Sequence, residues 1–373
     1  MTTLAARLTS EIVEPLKRRF VGRDEVVDLI ALAVVAGEHL FLHGPPGTAK
    51  SALLRHFAGA VEGTYFEYML TRFSEPNEIF GPIDIGKLRE GSVVTVTRGM
   101  LPEAEFVFLD ELFNANSAIL NNLLTVLNER VYRRGIECHR LPLLSLFSAS
   151  NHLPEDDALT ALFDRFLIRC HVDNLKREST PQMLRAGWAL ERELPTPTSI
   201  SASDLAEWSR QIYRVDLTPV EEAYRDAVFK IRDLGVAYSD RRAVKVLKLL
   251  AASALLCGRE RAQPSDLWVL RYMWDREEQI EPLKSLVNRL LEERQTEPDR
   301  HPLSTVAGAV DAEALAQQID AAAKELTGTL TLAAVARLRE RFADLADQAS
   351  WIADMPARDH LLRRTRECLT KLT

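Results

Sequence analysis

An α/β protein with a parallel-sheet core and a trailing set of helices is predicted by three features of the 373-residue chain. The apolar run Leu40-Phe41-Leu42 feeds a glycine-rich turn, His43 to Ser51, that opens a helix. A second apolar run, Phe106 to Leu109, ends in two carboxylates, Asp110 and Glu111. After Asn174 strand-like segments give way to helices rich in Ala, Leu, Glu and Arg. Strands that are apolar throughout and alternate with helices belong to a parallel sheet covered on both faces.

Residues 4–36 read as two amphipathic helices broken near Val21-Gly22-Arg23, followed by the strand at 40–43 and a helix from Ser51 to Ala60. A second strand is expected at Tyr65 to Thr71, after Gly63-Thr64. Ser74 to Pro82 starts a helix that Gly81-Pro82 cuts short. Val93 to Thr97, behind Glu90-Gly91, suggests a β-hairpin over 86–99 with its turn at Arg89-Glu90-Gly91. The helix after Glu111 is expected to be capped at Asn116 or Ser117, with Leu120, Leu123, Leu124 and Leu127 on one face. A second hairpin over 130–142 leads into the strand Leu144 to Ser150, and Leu167 to Cys170 closes an α/β core of residues 1–175. A helical lid is expected over 176–282 and a helical extension over 283–373, with linker-like stretches at 194–203 and 294–302 and helices at 312–326 and 332–349. Trp188, Trp208, Trp268, Trp274 and Trp351 fall in these helical parts and are expected in their cores.

Lys plus Arg number 47 and Asp plus Glu 54, a net charge of −7 that argues against a general nucleic-acid binder. The N-terminal twenty residues have no secretory apolar region, and Val26 to Val35 is too short to span a bilayer. Four cysteines without C-x-x-C spacing fit reduced thiols and a cytoplasmic setting.

The glycine-rich turn has the layout of a phosphate-binding loop, made of Gly44, Pro45, Pro46, Gly47, Thr48, Ala49, Lys50, Ser51 and Ala52. Backbone N–H groups and the positive end of the helix face an anion, Lys50 supplies a point charge for the outer phosphates, and the Ser51 hydroxyl can ligate Mg²⁺. The usual pattern has glycine where this chain has Ala49, and a Cβ there calls for helical φ/ψ with the side chain turned away from the phosphates. Asp110 at its strand end can hold Mg²⁺ through water, and Glu111 can polarise a water for attack on a γ-phosphate. Asn151, ending the next core strand, can orient the same water without adding charge. Arg165, between an apolar helix and the last strand, either pairs with Asp164 or reaches the nucleotide of a neighbouring subunit. Arg241 opens a long lid helix and can bring a second cation to the γ-phosphate, and on chemistry alone Arg242 is an equal candidate.

Arg130, Arg133, Arg134, His139 and Arg140 cluster on the second hairpin, and a basic hairpin can track a nucleic-acid backbone. No helix-turn-helix, RRM or OB signature accompanies it, and only Tyr132 offers a stacking ring, so protein contact is favoured. Cys138-His139 and Cys170-His171 invite a zinc reading, but they lie on different elements and chance accounts for them better.

The order and spacing of Gly44–Ser51, Phe106–Glu111, Ser148–Asn151, Asp164–Phe166 and Ser239–Arg241 resemble those of an AAA+ ATPase. The wording at 44–51, 118–130, 149–155 and 239–242 is similar to the MoxR branch, and most to its RavA-like subgroup, in which Ala before the loop lysine is habitual. The resemblance covers about residues 5–280. It implies Lys50 and Ser51 as Walker A, Asp110 and Glu111 as Walker B, Asn151 as sensor 1, Arg165 as arginine finger, Arg241 as sensor 2, and Val21 and Gly22 on the adenine side. It further implies ATP with Mg²⁺, a homo-oligomeric ring that is usually a hexamer, and hairpins facing the ring axis or rim. A chaperone-like action on a client protein with a von Willebrand factor A-domain partner follows from the same likeness. The β-rich insertion of RavA-like proteins has no room in the tail at 303–373. The rival expectation is a nucleic-acid-stimulated motor, and a third is a slow nucleotide-gated binding module.

Overall fold

The computed structural model describes residues 3–134, 137–154, 156–175, 177–190, 192, 198, 200–292, 300–304, 312–324, 338, 339, 341, 342, 345, 346, 349 and 355–370. They form two compact units, Met1–Ser304 and Thr305–Thr373.

The first unit is built on a five-stranded sheet in the order β2-β3-β6-β1-β7. The strands are β1 (Leu40–His43), β2 (Tyr65–Met69), β3 (Phe106–Asp110), β6 (Ser145–Ser150) and β7 (Ile168–His171), while β4 (Val131–Arg134) and β5 (Glu137–Arg140) pair separately. Every pairing in the five-stranded sheet is parallel, so His43, Asp110, Ser150 and His171 finish on one edge. β1 lies between β6 and β7, and strands this apolar bury both faces: β1 and β6 are covered along their whole length. Phe41 shows how the layers lock, with its ring 5.1 Å from that of Phe163 and 5.4 Å from that of Phe113. Burying such a side chain contributes about 1.5–3 kcal/mol.

Helices cover the sheet. Leu4–Leu8 runs through a π-helical turn, Thr9–Val13, into Glu14–Arg19, and Asp24–Ala36 follows after the Gly22 turn. The helix Ser117–Glu129 is capped by Asn116, whose side chain accepts from the Ile119 N–H. The lid consists of Thr218–Asp233, Asp240–Leu256, the 3-10 stretch Pro264–Tyr272 and Ile280–Glu292. Two charge clusters tie it to the sheet. Buried Glu38 accepts from Lys248 (2.7 Å) and Lys245 (3.3 Å). Asp275 accepts from the fully buried guanidiniums of Arg169 and Arg242.

Several expectations are corrected. The stretch 86–99 is not a strand pair, because Asp84 caps a short helix, Ile85–Arg89, through the Gly86 and Lys87 N–H groups. Antiparallel contact is limited to Ile83 opposite Thr95, flanked by Asp84 N–H to Val94 and Val96 N–H to Pro82 carbonyl bonds. The helix Ile280–Glu292 runs across the boundary expected at 282/283 and packs Leu283, Val287 and Leu291 into the first unit, which runs on to Ser304. Trp208, Trp268 and Trp274 are buried, but Trp188 is 68% exposed with the Arg192 guanidinium over its ring, and Trp351 lies outside the described residues. So do half of the stretch 194–203 and most of the stretch 294–302 and of the helix expected at 332–349.

In the second unit, Ala312–Lys324 and Met355–Thr370 share a small core that includes Leu315, Ile319, Phe342 and Leu361. Among the described residues no helix is long and apolar enough to cross a membrane.

Candidate functional site

The carboxyl edge of the sheet is where an open α/β fold places ligands. The loop from Gly44 to Ser51 leaves β1 there, held by Gly44 N–H to Ser150 carbonyl (3.1 Å) and Val172 N–H to His43 carbonyl (2.7 Å) bonds. Gly44 has φ +149°, and a Cβ on it would stand 2.1 Å from the Val172 carbonyl oxygen, so only glycine lets β1 and β7 close over the loop. Ala49 departs from its expected helical geometry: φ is 64° and ψ 22°, the left-handed region, one residue before the helix Lys50–Ala60 begins. The turn imposes this angle whatever the residue, and for an L side chain it costs about 1–2 kcal/mol. Ala49→Gly is therefore expected to raise unfolding free energy by about 1 kcal/mol, net of the added freedom of the unfolded chain. Urea denaturation without nucleotide measures it, and an unchanged midpoint would remove the strain.

Lys50 is buried, with Nζ donating to the carbonyls of Gly44 (2.8 Å) and Pro45 (3.0 Å), so the ammonium lies within the loop where phosphate oxygens would replace those carbonyls. Burial lowers its pKa while Asp110 and Glu111 pull the other way. Burial also pushes the Asp110 carboxyl up, against the Glu111 N–H and Lys50, and pushes Glu111 up together with the charge of Asp110. Glu111, at φ 53°, is a second non-glycine residue held in the left-handed region, as constrained site residues often are. Two adjacent carboxylates whose ionised forms are penalised by burial, Asp110 also by the charge of Glu67 and Glu111 by that of Asp110, are arranged for a cation. Asp110 stands in register with Ala149, so Asn151 follows at the same edge.

Beside the loop lies a cavity of about 310 Å³ lined in part by Gly22, Arg23, Val26, Val172 and Leu175, and Val21 lines the next one. Arg23 was not anticipated as a site residue; its Nε donates to the Thr48 carbonyl (3.1 Å), bracing the loop from the first helices. Its only sequence signal is its place directly after Val21-Gly22.

Arg165 and Arg241 are elsewhere. Arg165 precedes β7 by three residues, at the amino edge of the sheet where Ile168 pairs with Leu40. The strand from Leu40 to Gly44 alone spans about 13 Å. Arg165 bonds Asp164 (3.0 Å), and its buried Nε has no partner. Burial lowers its pKa, and so does the charge of Arg241, which is near enough to be felt there. Arg241 donates to Asn128 (2.5 Å), beside Leu127, whose carbonyl meets His39 at the start of β1. Arg242 is committed to the lid, fully buried against Asp275 and the Met273 carbonyl, which separates two residues that chemistry alone could not. The structure thus gathers Lys50, Ser51, Asp110, Glu111 and Asn151 at one edge of the sheet, and Arg165 with Arg241 at the other.

The basic hairpin is largely spoken for. Arg130 caps the carbonyls of Gly37, Leu143 and Leu144, Arg133 pairs with Glu129 and Arg134 reaches the Gly81 carbonyl. Tyr132 is buried and stacked on Phe80, with centroids 4.9 Å apart, so it is not a platform for a base.

Comparison with known proteins agrees with this architecture. A family model described as "MoxR domain in the MoxR-vWA-beta-propeller ternary systems" matches residues 6–210, and one described as "AAA lid domain" matches 224–287. An uncharacterized protein of Methanocaldococcus jannaschii is 37% identical over 72% of this chain and 71% of its own. The protein named Chaperone MoxR1 of Mycobacterium tuberculosis is 29% identical over 42% of each chain. A crystal structure of an ATPase candidate from Cytophaga hutchinsonii shares the fold with a TM-score of 0.61 at 18% identity, over 76% of this chain and 92% of that one. With a nucleotide-type loop, a five-stranded parallel sheet and a helical lid joined in this order, the chain belongs to the MoxR family of AAA+ ATPases.

Proposed function

We propose that the protein hydrolyses ATP at the junction between subunits of a homo-oligomeric ring and uses that hydrolysis, chaperone-fashion, to remodel a client protein. Lys50 and the loop N–H groups hold the phosphates, Glu111 and Asn151 position the attacking water, and Arg165, with Arg241, comes from the next subunit. Val21 and Gly22 border the base. Asp110 and Ser51 are oxygen donors, the set a hard cation takes, and Mg²⁺ held by them would neutralise charge on the phosphates. The observation that carries the reading is the separation of the two cations from Lys50: with Arg165 at the far edge of the sheet, no single chain assembles the whole constellation. Head-to-tail contact between copies supplies it and closes into a ring, six-membered in the family pattern.

A von Willebrand factor A-domain protein is the partner that the matching family model's own description supports. The four free cysteines fit a cytoplasmic setting.

Mixing two inactive variants tests the junction. Lys50→Ala and Arg165→Ala are each expected to be inactive. Equimolar random mixing leaves an intact Lys50 facing an intact Arg165 at ½ × ½ of the junctions, so about a quarter of wild-type ATPase should return. No recovery in rings shown to contain both variants would refute the shared site.

A further inference from the structure

We propose that His43, His171 and Glu277 form a binding site for a divalent transition metal of the zinc type, tying the strand that feeds the phosphate loop to the lid. His43 and His171 are register partners at the ends of β1 and β7, so their side chains leave the same face of the sheet, with ring centroids 5.4 Å apart. Glu277 reaches them from the lid, where it opens the 3-10 turn Glu277–Gln279. One ligand atom from each of the three lies within 4.8 Å of the other two. Tetrahedral zinc bonds of about 2.0–2.1 Å need donor atoms roughly 3.4 Å apart, an adjustment that the exposed Glu277 and the partly exposed His171 can make around a buried His43.

The protons are already disposed for it. His43 Nδ1 is 3.2 Å from the Ser150 carbonyl oxygen, which can only accept, so the proton is on Nδ1 and Nε2 offers a lone pair. That lone pair faces Glu277 Oε1 at 2.5 Å, an arrangement that needs a cation or a further proton between the two atoms. His171 has its Nε2 3.1 Å from Asp173 Oδ2, which fixes the proton there and leaves Nδ1, buried and without a partner, as the other lone pair. Each imidazole thus gives its N–H to an outer oxygen and keeps the opposite nitrogen free, as metal-bound histidines do. Two imidazoles and one carboxylate suit zinc, cobalt(II) or nickel(II) and leave a fourth position open; Mg²⁺ prefers all-oxygen donors such as Ser51 and Asp110. Cys170, the neighbour of His171 in sequence, points to the opposite face of the sheet and takes no part.

Tag-free full-length protein, stripped with a chelator, is titrated with Co²⁺ and then with competing Zn²⁺. One Co²⁺ per chain is expected, with visible absorption of the intensity low-coordinate cobalt gives, displaced by Zn²⁺ and not by Mg²⁺. His171→Ala and Glu277→Gln should each weaken binding by about 10–100-fold, judged on the scale that lost supporting contacts alone already reach. Zn²⁺ should raise the melting temperature of wild type and not of either variant. Glu277 is half-exposed, so Glu277→Gln is the variant that keeps the fold if His171→Ala does not. Wild-type affinity no better than that of Glu277→Gln, or stoichiometric binding that survives both substitutions, overturns the site.

Discussion

Arg165→Ala is expected to lower ATP turnover by about 10³–10⁵, the range that removal of a transition-state arginine produces in other nucleotide hydrolases. Nucleotide affinity should change little, because the loop, Lys50 and the cavity beside Gly22 all lie at the opposite edge of the sheet. The local electrostatics make the side chain receptive to an anion. Its Nε is buried without a hydrogen-bond partner among the described residues, it pairs with the neighbouring, partly exposed Asp164, and the like charge of Arg241 is felt there. Two guanidiniums so placed repel each other, and a γ-phosphate from a neighbouring subunit would relieve that repulsion. Arg165→Lys keeps the charge and loses the fork, so an intermediate loss is expected. Phosphate release by assembled protein, measured beside nucleotide binding, separates the two effects. Turnover of the alanine variant at the wild-type rate would take Arg165 out of the chemistry.

Much of this arrangement was legible in the chain because it is written in local patterns. Apolar runs long enough for a strand and closed by turn residues mark β1, β3 and β6, and carboxylates at the end of such a run point to the ligand edge. What escaped depends on contacts between distant positions. Ala49 has a strong helical preference, yet the loop forces it left-handed, so tertiary geometry overrides propensity. The β-branched run at 93–97 reads as one arm of a hairpin, yet Asp84 caps a helical turn over Ile85–Arg89 where the other arm was expected. Trp188 carries an apolar ring, which predicts burial only when a facing surface exists. Arg241 and Arg242 are chemically alike, and the position of Asp275, between the 3-10 stretch and the last lid helix, decides which is buried. His43 and Glu277 are 234 positions apart, so no spacing rule brings them together.

The second large effect is expected at Asp275, where the lid meets β7. Its carboxylate accepts from Arg169 and Arg242, both fully buried, and from the Ala237 N–H at 2.7 Å. Asp275→Ala leaves two guanidiniums without their countercharge in the interior, and removing one partner of a buried ionic cluster costs about 3–5 kcal/mol. The pair as a whole contributes far less than that, since its desolvation offsets most of its attraction; the loss measures the stranded cations. A fall in melting temperature on the order of 10 °C should accompany it. The pH dependence gives an independent check. Burial pushes the Asp275 carboxyl up, but Arg242 and Arg169 outweigh it and hold the pKa below the ordinary range. A carboxylate depressed on folding stabilises fully above its unfolded value, about 3.9, and loses that contribution as pH falls through the lower folded value. The gap between wild type and Asp275→Ala in urea denaturation should therefore hold constant from pH 7 to about pH 4 and narrow only below that. Asp275→Asn, which keeps one acceptor oxygen for the two guanidiniums but loses the charge and the acceptor for the Ala237 N–H, should fall between the two. If the alanine variant unfolds within about 1 kcal/mol of wild type at pH 7, water reaches Arg169 and Arg242, and the joint between lid and sheet is looser than their burial implies.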